Sequence, residues 1–141
     1  MIRRTVSVLL ALCLLQACTN VASMQKKYEA GDESQYTRLI QVASRPDYPY
    51  ATRKRAVRAL AEIGDPRALP VFIGALNDYD QRSTLKFEAL KGLQAIGDTA
   101  AVAAIGRLLD MSLREEGVEM RLAAIPVLGA LPSSPRSAIE T

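Results

Sequence analysis

The sequence contains no histidine and no tryptophan, and it has only two cysteines in 141 residues. Without histidine, the chain lacks the commonest general base of enzymes and the commonest neutral metal ligand. Both cysteines lie within the first 18 residues, so no disulfide can close within the rest of the chain. It also has no glycine-rich phosphate loop, zinc pattern or nucleophilic triad. We therefore predict that the protein is not an enzyme and needs no cofactor or metal.

The first residues are typical of a secretory signal. Arg3 and Arg4 precede an apolar run over residues 6–15, and the small residue Ala17 stands at the expected cleavage site. A helix that spans a bilayer needs about 20 apolar residues, and this run has roughly half that length. Residues 1–17 are therefore predicted to form a signal peptide that is removed.

The four residues Leu15, Gln16, Ala17 and Cys18 resemble the lipobox of bacterial lipoproteins, although glutamine is less usual at its place. The resemblance implies cleavage before Cys18 and acylation of this cysteine, and two or three acyl chains anchor a protein stably. Thr19, where inner-membrane lipoproteins usually have aspartate, implies an anchor in the outer membrane with the domain in the periplasm. The alternative is an ordinary secreted protein with an unrelated cysteine near its cleavage site.

Removal of the signal peptide changes the charge balance. The chain has 18 basic side chains, of which Arg3 and Arg4 belong to the signal, against 15 acidic ones. The remaining 124 of the 141 residues are nearly neutral, so the composition predicts no nucleic-acid partner.

A repeat with a period of 33 residues organises the rest of the chain. The stretch AEIGDPRAL at 61–69 recurs as QAIGDTAAV at 94–102, and YEAGDESQY stands at 28–36. VLGAL at 127–131 follows 32 residues after the last Gly-Asp corner, with Gly129 in the glycine position. Apolar residues spaced as one face of a helix flank each glycine, which indicates two helices per unit.

The Gly-Asp pairs are predicted to form the corners between helices. Glycine adopts the left-handed conformation that ends a helix, and the aspartate that follows caps the next helix by accepting a bond from its free N–H groups. The predicted corner residues are Gly31, Asp32, Gly64, Asp65, Gly97 and Asp98.

The run AVRALAEIGDPRALPVFIGAL at 56–76 resembles the short bacterial HEAT-like repeat, which is also named for phycobilin lyases. The resemblance implies an all-α fold: a right-handed α-solenoid of about three and a half helix pairs of 32–33 residues over 26–131. Residues 18–25 would then be a lipid-anchored tether and 132–141 a polar tail. An irregular helical bundle is the alternative fold.

Two groups of residues near the segments that link the units are candidates for partner binding. Arg53, Lys54 and Arg58 belong to a basic run that would suit a protein partner or acidic lipid headgroups, but such a run can also be only a solvated face. Tyrosine is enriched at interfaces, and the linking segments contain Tyr48, Tyr50 and Tyr79. Alternatively, the tyrosines cover the edge of the core between units.

The last predicted helix is apolar on nearly every side. It includes Leu122, Ile125 and Leu128, while Pro132 and Pro135 leave only a short polar tail to cover it. Repeat arrays normally end in a cap with a polar face, so we expect this helix to meet a second copy or another envelope protein. Alternatively, Ile139 folds back and the tail covers the helix.

Together these patterns predict a lipid-anchored interaction module on the periplasmic face of the bacterial outer membrane. The resemblance to phycobilin lyases leaves one alternative, an enzyme or tetrapyrrole-binding protein that shares the repeat. Those lyases are cytoplasmic and much longer, which favours the interaction module.

Overall fold

The computed structural model describes residues 20–77, 83–112 and 118–132. These residues form seven α-helices and one short 3₁₀ turn, with no strand among them, which confirms the predicted all-α solenoid. The helices are α1 (Val21–Glu29), α2 (Ser34–Ser44), α3 (Tyr50–Ile63), α4 (Leu69–Asn77), α5 (Ser83–Ile96), α6 (Ala101–Ser112) and α7 (Val118–Ala130). The signal peptide, Cys18, Tyr79 and residues 133–141 of the predicted tail lie outside the described residues.

The helices stack in two layers. Helices α1, α3, α5 and α7 form one layer, in which each contacts the next, and α2, α4 and α6 form the other. The most extensive contacts across the layers are those of α2 with α3 and of α4 with α5, followed by α1 with α2 and α6 with α7. Each Gly-Asp corner that follows α3 or α5 therefore joins helices of two neighbouring pairs.

The Gly-Asp corners have the backbone geometry that ends one helix and starts another. Gly31, Gly64 and Gly97 have φ angles of 103°, 69° and 69°, in the left-handed region that favours glycine. The Asp65 side chain accepts a hydrogen bond from the Arg67 N–H at 2.9 Å and so caps the 3₁₀ turn Pro66–Ala68. A left-handed glycine and a capping aspartate thus reverse the chain within a few residues.

The structure assigns Gly129 differently from the sequence pattern. Gly129 is not a corner, because α7 continues to Ala130 and this glycine does not have a positive φ. Pro70 is the second residue of α4, where no intrahelical partner for its backbone nitrogen is needed. The 3₁₀ turn before Leu69 delays the start of α4 and so makes room for this proline.

The structure places residues 21–25, part of the predicted tether, in a helix. Helix α1 starts at Val21, and the Asn20 side chain caps it by accepting a hydrogen bond from the Ser23 N–H at 3.2 Å. Val21 is buried at the end of the core. Residues 21–25 are therefore part of the folded domain, and only Thr19 and Asn20 separate Cys18 from the first helix.

The core lies between the two layers, and its side chains come from every helix. Leu39, Leu60, Phe72, Leu93 and Ile105 have no solvent exposure. Helices α4 and α5 approach each other closely at one point, where the Phe72 ring lies directly against the backbone at Gly92. A side chain at position 92 would occupy the space of this ring.

Candidate interaction surfaces

Helices α1, α3 and α5 run parallel in their layer. Side chains that are about one repeat apart in the sequence contact each other between these helices. Gln25 donates a hydrogen bond to Glu62 at 3.1 Å, and the hydroxyls of Tyr50 and Thr84 are in hydrogen-bond contact. Helices α3 and α5 therefore begin at the same edge, whereas α1, whose Val21 lies beside Arg58, begins next to the middle of α3. We call the edge where α3 and α5 begin, near Tyr50 and Thr84, the loop edge, and the opposite edge with the Gly-Asp pairs the corner edge.

A buried carboxylate lies in the middle of this layer. The Glu88 side chain is 6 % exposed, and its Oε1 accepts hydrogen bonds from Nη2 and Nε of Arg58 at 2.6 and 3.1 Å. Nζ of Lys91 lies 3.3 Å from Oε2. Burial raises the pKa of Glu88, but the hydrogen bonds from Arg58 and Lys91 outweigh burial and hold the pKa below its usual 4.5. The cluster joins α3 to α5.

Two shallow cavities flank Arg58. One, of about 180 Å³, lies between α3 and α5 and is lined by Ala61, Glu62 and the Glu88 cluster. The other, of about 220 Å³, lies between α1 and α3 and is lined by Val21 and Arg55 among others. Pockets for whole small molecules usually measure about 300–1,000 Å³, so each cavity suits a side chain of a partner better than a complete ligand.

The residues of the basic run predicted from the sequence lie in two different places in the structure. Arg58 is bound to Glu88, and Nε of the half-buried Arg53 donates to the Ala43 carbonyl at 3.5 Å at the end of α2. Lys54 is half-buried and Arg55 exposed, and neither forms an ion pair within the described residues. Arg53, Lys54 and Arg55 are therefore near the loop edge, whereas Arg58 belongs to the middle of the layer.

Tyr48 and Tyr50 are half-buried at the loop edge, where they pack against the core and cover the ends of the helices. The Arg45 guanidinium lies 5.7 Å from the centre of the Tyr48 ring, and it also pairs with Asp47 at 2.6 Å. Tyr79, the third tyrosine predicted at this edge, lies outside the described residues. Part of each of the first two rings remains available to a partner.

One side of α7 presents large apolar side chains to solvent. Val118, Leu122 and Ile125 are 59 %, 64 % and 56 % exposed, and we call them the α7 stripe. Their spacing of four and three residues places them on one face. Leu128, predicted with them, is half-buried and packs against the core.

A second polar cluster, at the corner edge, was not predicted from the sequence. The Arg67 guanidinium binds Asp65 at 2.6 Å and Glu33 at 3.0 Å, and it lies 4.4 Å from the centre of the Tyr36 ring. The buried Tyr36 hydroxyl donates to the Asp65 carbonyl at 3.0 Å. The only signal in the sequence is the spacing of Glu33 and Arg67, about one repeat apart with opposite charges. The cluster joins two neighbouring corners.

The described residues contain no group of three or more acidic or thiol side chains placed to hold a metal ion. None of their helices has the length and apolar character needed to cross a bilayer.

The stacked helix pairs, the repeated corners and the two-layered core define an α-solenoid. The chain belongs to the HEAT repeat family, whose sequence profile matches residues 36–129. It is also similar to the bilin biosynthesis protein PecE of Nostoc sp. strain PCC 7120, with 35 % identity over 89 residues. The match covers 62 % of this chain and 35 % of PecE, so the chain spans about a third of that relative.

The Glu88 cluster gives a test of how α3 and α5 are held together. We expect Arg58→Met to destabilise the protein at neutral pH, because the buried carboxylate then has only Lys91 as a partner. Glu88→Met, alone or combined with Arg58→Met, should have a stability close to that of the wild type. It removes the buried charge and leaves only well-exposed cations unpaired. Urea unfolding of the four proteins measures the difference.

Arg55→Met, three residues away on an exposed position, is the matched control and should unfold at the wild-type urea concentration. Because the pKa of Glu88 is depressed in the fold, the stability it contributes is present above pH 4.5 and lost as the pH falls. The difference between wild type and Arg58→Met should therefore shrink in acid. An equal difference at pH 7 and pH 3 would show that the ion pair is not its cause.

Proposed function

We propose that the protein is a lipid-anchored interaction module of the bacterial envelope. Acyl chains on Cys18 hold it at the periplasmic face of the outer membrane, and the solenoid binds a partner through the α7 stripe. HEAT repeats generally mediate contacts between proteins, which supports the general role. The lipobox resemblance of residues 15–18 supports the anchor.

The α7 stripe is the observation on which the partner site rests. Most of the other large apolar side chains of the described residues are buried or half-buried, whereas Leu122 and Ile125 are both more than half exposed on adjacent turns. Contiguous apolar surface of this kind marks interaction sites on soluble domains. The partner is an envelope protein or a second copy of the chain, whose own α7 stripe would be self-complementary.

Crosslinking in intact membranes tests the proposal. A photoreactive side chain at the exposed position 119, next to the stripe, should give a crosslinked product in the wild type. Ile125→Glu should abolish that product while the protein stays helical, because a carboxylate on the stripe opposes burial against an apolar surface. Cys18→Ala should leave the membrane fraction and lose the mobility shift that acylation causes.

Gln41→Glu, an exposed change on α2, is the matched control and should retain the product. A product of twice the monomer mass identifies a second copy, and any other mass identifies an envelope protein. The interface is wrong if the wild type gives no product or Ile125→Glu keeps it. The anchor is wrong if Cys18→Ala remains in the membrane fraction without a change in mobility.

A second candidate is a bilin-binding or bilin-modifying role, which the similarity to PecE favours. Arg55 and Arg58 beside the cavity between α1 and α3 would suit the carboxylates of a tetrapyrrole. The cavity, at about 220 Å³, would hold only part of such a molecule. A change in bilin absorbance on mixing with the protein would support this candidate, and an unchanged spectrum would remove it.

A further inference from the structure

The end of the chain that would hold the lipid anchor points toward the loop edge, because α1 runs parallel to α3. Helix α1 begins at Val21 beside the middle of α3, where Val21 and Ala22 share a cavity with Arg55 and Arg58. Helix α2 ends at the loop edge, where Arg53 of α3 reaches the Ala43 carbonyl. The loop edge therefore brings together the segment between α2 and α3 and the first turns of α3, and α1 begins about two helical turns away from it.

The covalent link leaves little distance between the start of α1 and the anchor. Only Thr19 and Asn20 separate Cys18 from Val21, and three Cα–Cα steps span at most about 10 Å. Asn20 is fixed as the cap of α1, which removes slack from this segment. If Cys18 is acylated, the start of α1 must lie close to the lipid headgroups, and the direction of α1 turns the loop edge toward them.

The loop edge has the charge that anionic headgroups attract. Between residues 44 and 55 the chain has four cations, Arg45, Arg53, Lys54 and Arg55, and one carboxylate, Asp47. Asp47 is paired with Arg45, so the three cations of α3 are not neutralised by an ion pair within the described residues. Basic residues held near an anionic membrane surface add to binding.

Tyr48 adds a side chain that suits the same surface. It is half-buried beside Arg45, so part of its ring faces outward at the loop edge. Tyrosine rings concentrate at the boundary between headgroups and hydrocarbon, where they meet an apolar and a wet environment together.

We propose that the loop edge, at Tyr48, Arg53, Lys54 and Arg55, lies against anionic phospholipid headgroups of the membrane that holds Cys18. This inference rests on the lipid anchor proposed above. It fixes the orientation of the solenoid: the corner edge, with Gly31, Gly64 and Gly97, points away from the membrane. The anchor thus docks the domain on the lipid surface instead of leaving it on a free tether.

The absence of tryptophan allows a direct test. Tyr48→Trp places a single fluorophore at the loop edge, and Tyr28→Trp places one in the last turn of α1 near the corner edge as the matched control. The acylated full-length proteins are reconstituted in vesicles of phosphatidylglycerol and phosphatidylcholine with brominated acyl chains. We expect several-fold stronger quenching for Tyr48→Trp than for Tyr28→Trp.

Removal of charge should weaken this contact. In the Tyr48→Trp protein, Arg53→Gln with Lys54→Gln should reduce quenching at least twofold, whereas Lys26→Gln with Lys27→Gln, at the other end of α1, should leave it unchanged. The same loss should occur in vesicles of phosphatidylcholine alone. Thermal unfolding of each variant shows that the fold is retained.

Two failures are distinguishable in this design. If the acylated proteins sediment with the vesicles but both tryptophan variants are quenched equally, or neither is, the docked edge is wrong and the anchor stands. If mass spectrometry finds Cys18 without acyl chains, the anchor is wrong, and the inference falls with it. Quenching that does not depend on anionic lipid would overturn the proposed role of Arg53 and Lys54.

Discussion

Gly92→Ala is expected to destabilise the protein by about 2–3 kcal/mol, although alanine normally favours a helix over glycine. A Cβ at this position would overlap three carbons of the Phe72 ring, the farthest of them at 2.7 Å. Phe72 is fully buried, so its ring has no free space into which to move. The helices α4 and α5 must separate or the ring must leave its rotamer, and both changes disturb the core.

Two glycines provide matched controls for this prediction. Gly74 in α4 and Gly106 in α6 are exposed, and an added Cβ at either position meets no atom within 4 Å. Gly74→Ala and Gly106→Ala should each stabilise the protein by about 0.5–1 kcal/mol. Chemical denaturation of the three variants gives the comparison, and Phe72→Leu should recover part of the loss in Gly92→Ala. Three equal effects would mean that α4 and α5 do not approach each other at Gly92.

Ionisation of the Tyr36 phenol is expected to lower the free energy of unfolding by about 2–3 kcal/mol between pH 10 and pH 12. Burial, together with the nearby Asp65 carboxylate, raises the pKa of Tyr36 to about 12, above its usual 10.0. The fold therefore favours the neutral phenol. Its contribution is fully present below pH 10 and disappears as the pH rises through 12, because the unfolded chain ionises first.

Tyr36→Phe isolates this effect from the other groups that titrate in alkali. At pH 8 the variant should be less stable than the wild type by about 1 kcal/mol, because the Asp65 carbonyl loses its hydrogen bond. Above pH 11 the order should reverse, since phenylalanine has no proton to lose. Urea unfolding of both proteins at pH 8, 10 and 11.5 measures the change. A constant difference across this range would show that the Tyr36 phenol does not ionise differently in the fold.

The sequence by itself determined the helical class and the positions of the corners. Gly64 and Asp65 act through local requirements, a left-handed backbone and a side chain that caps the next N–H groups, and such requirements are visible at a fixed spacing. The apolar stripes before and after each corner identified most of the core in the same way. The exposed Leu122 and Ile125 also follow from the apolar character of the last helix.

The start of α1 was not predicted from the sequence, because the apolar pattern of this helix is weak. The segment VASMQKKYE has a single buried residue, Val21, and it lacks the repeated stripe that marks the other helices. Its helix depends on packing against α2 and α3, which the local sequence does not reveal.

Only the tertiary structure decided which polar side chains are partners. Arg58 and Glu88 are 30 residues apart, and nothing in either local sequence indicates that one repeat sets them 2.6 Å from each other. The same is true of Gly92, because the Phe72 ring on another helix leaves no space for a side chain there. Local conformation follows from neighbours in the chain, whereas ion pairs and close packing depend on the register in which the repeats stack. That register also places the start of α1 beside the middle of α3.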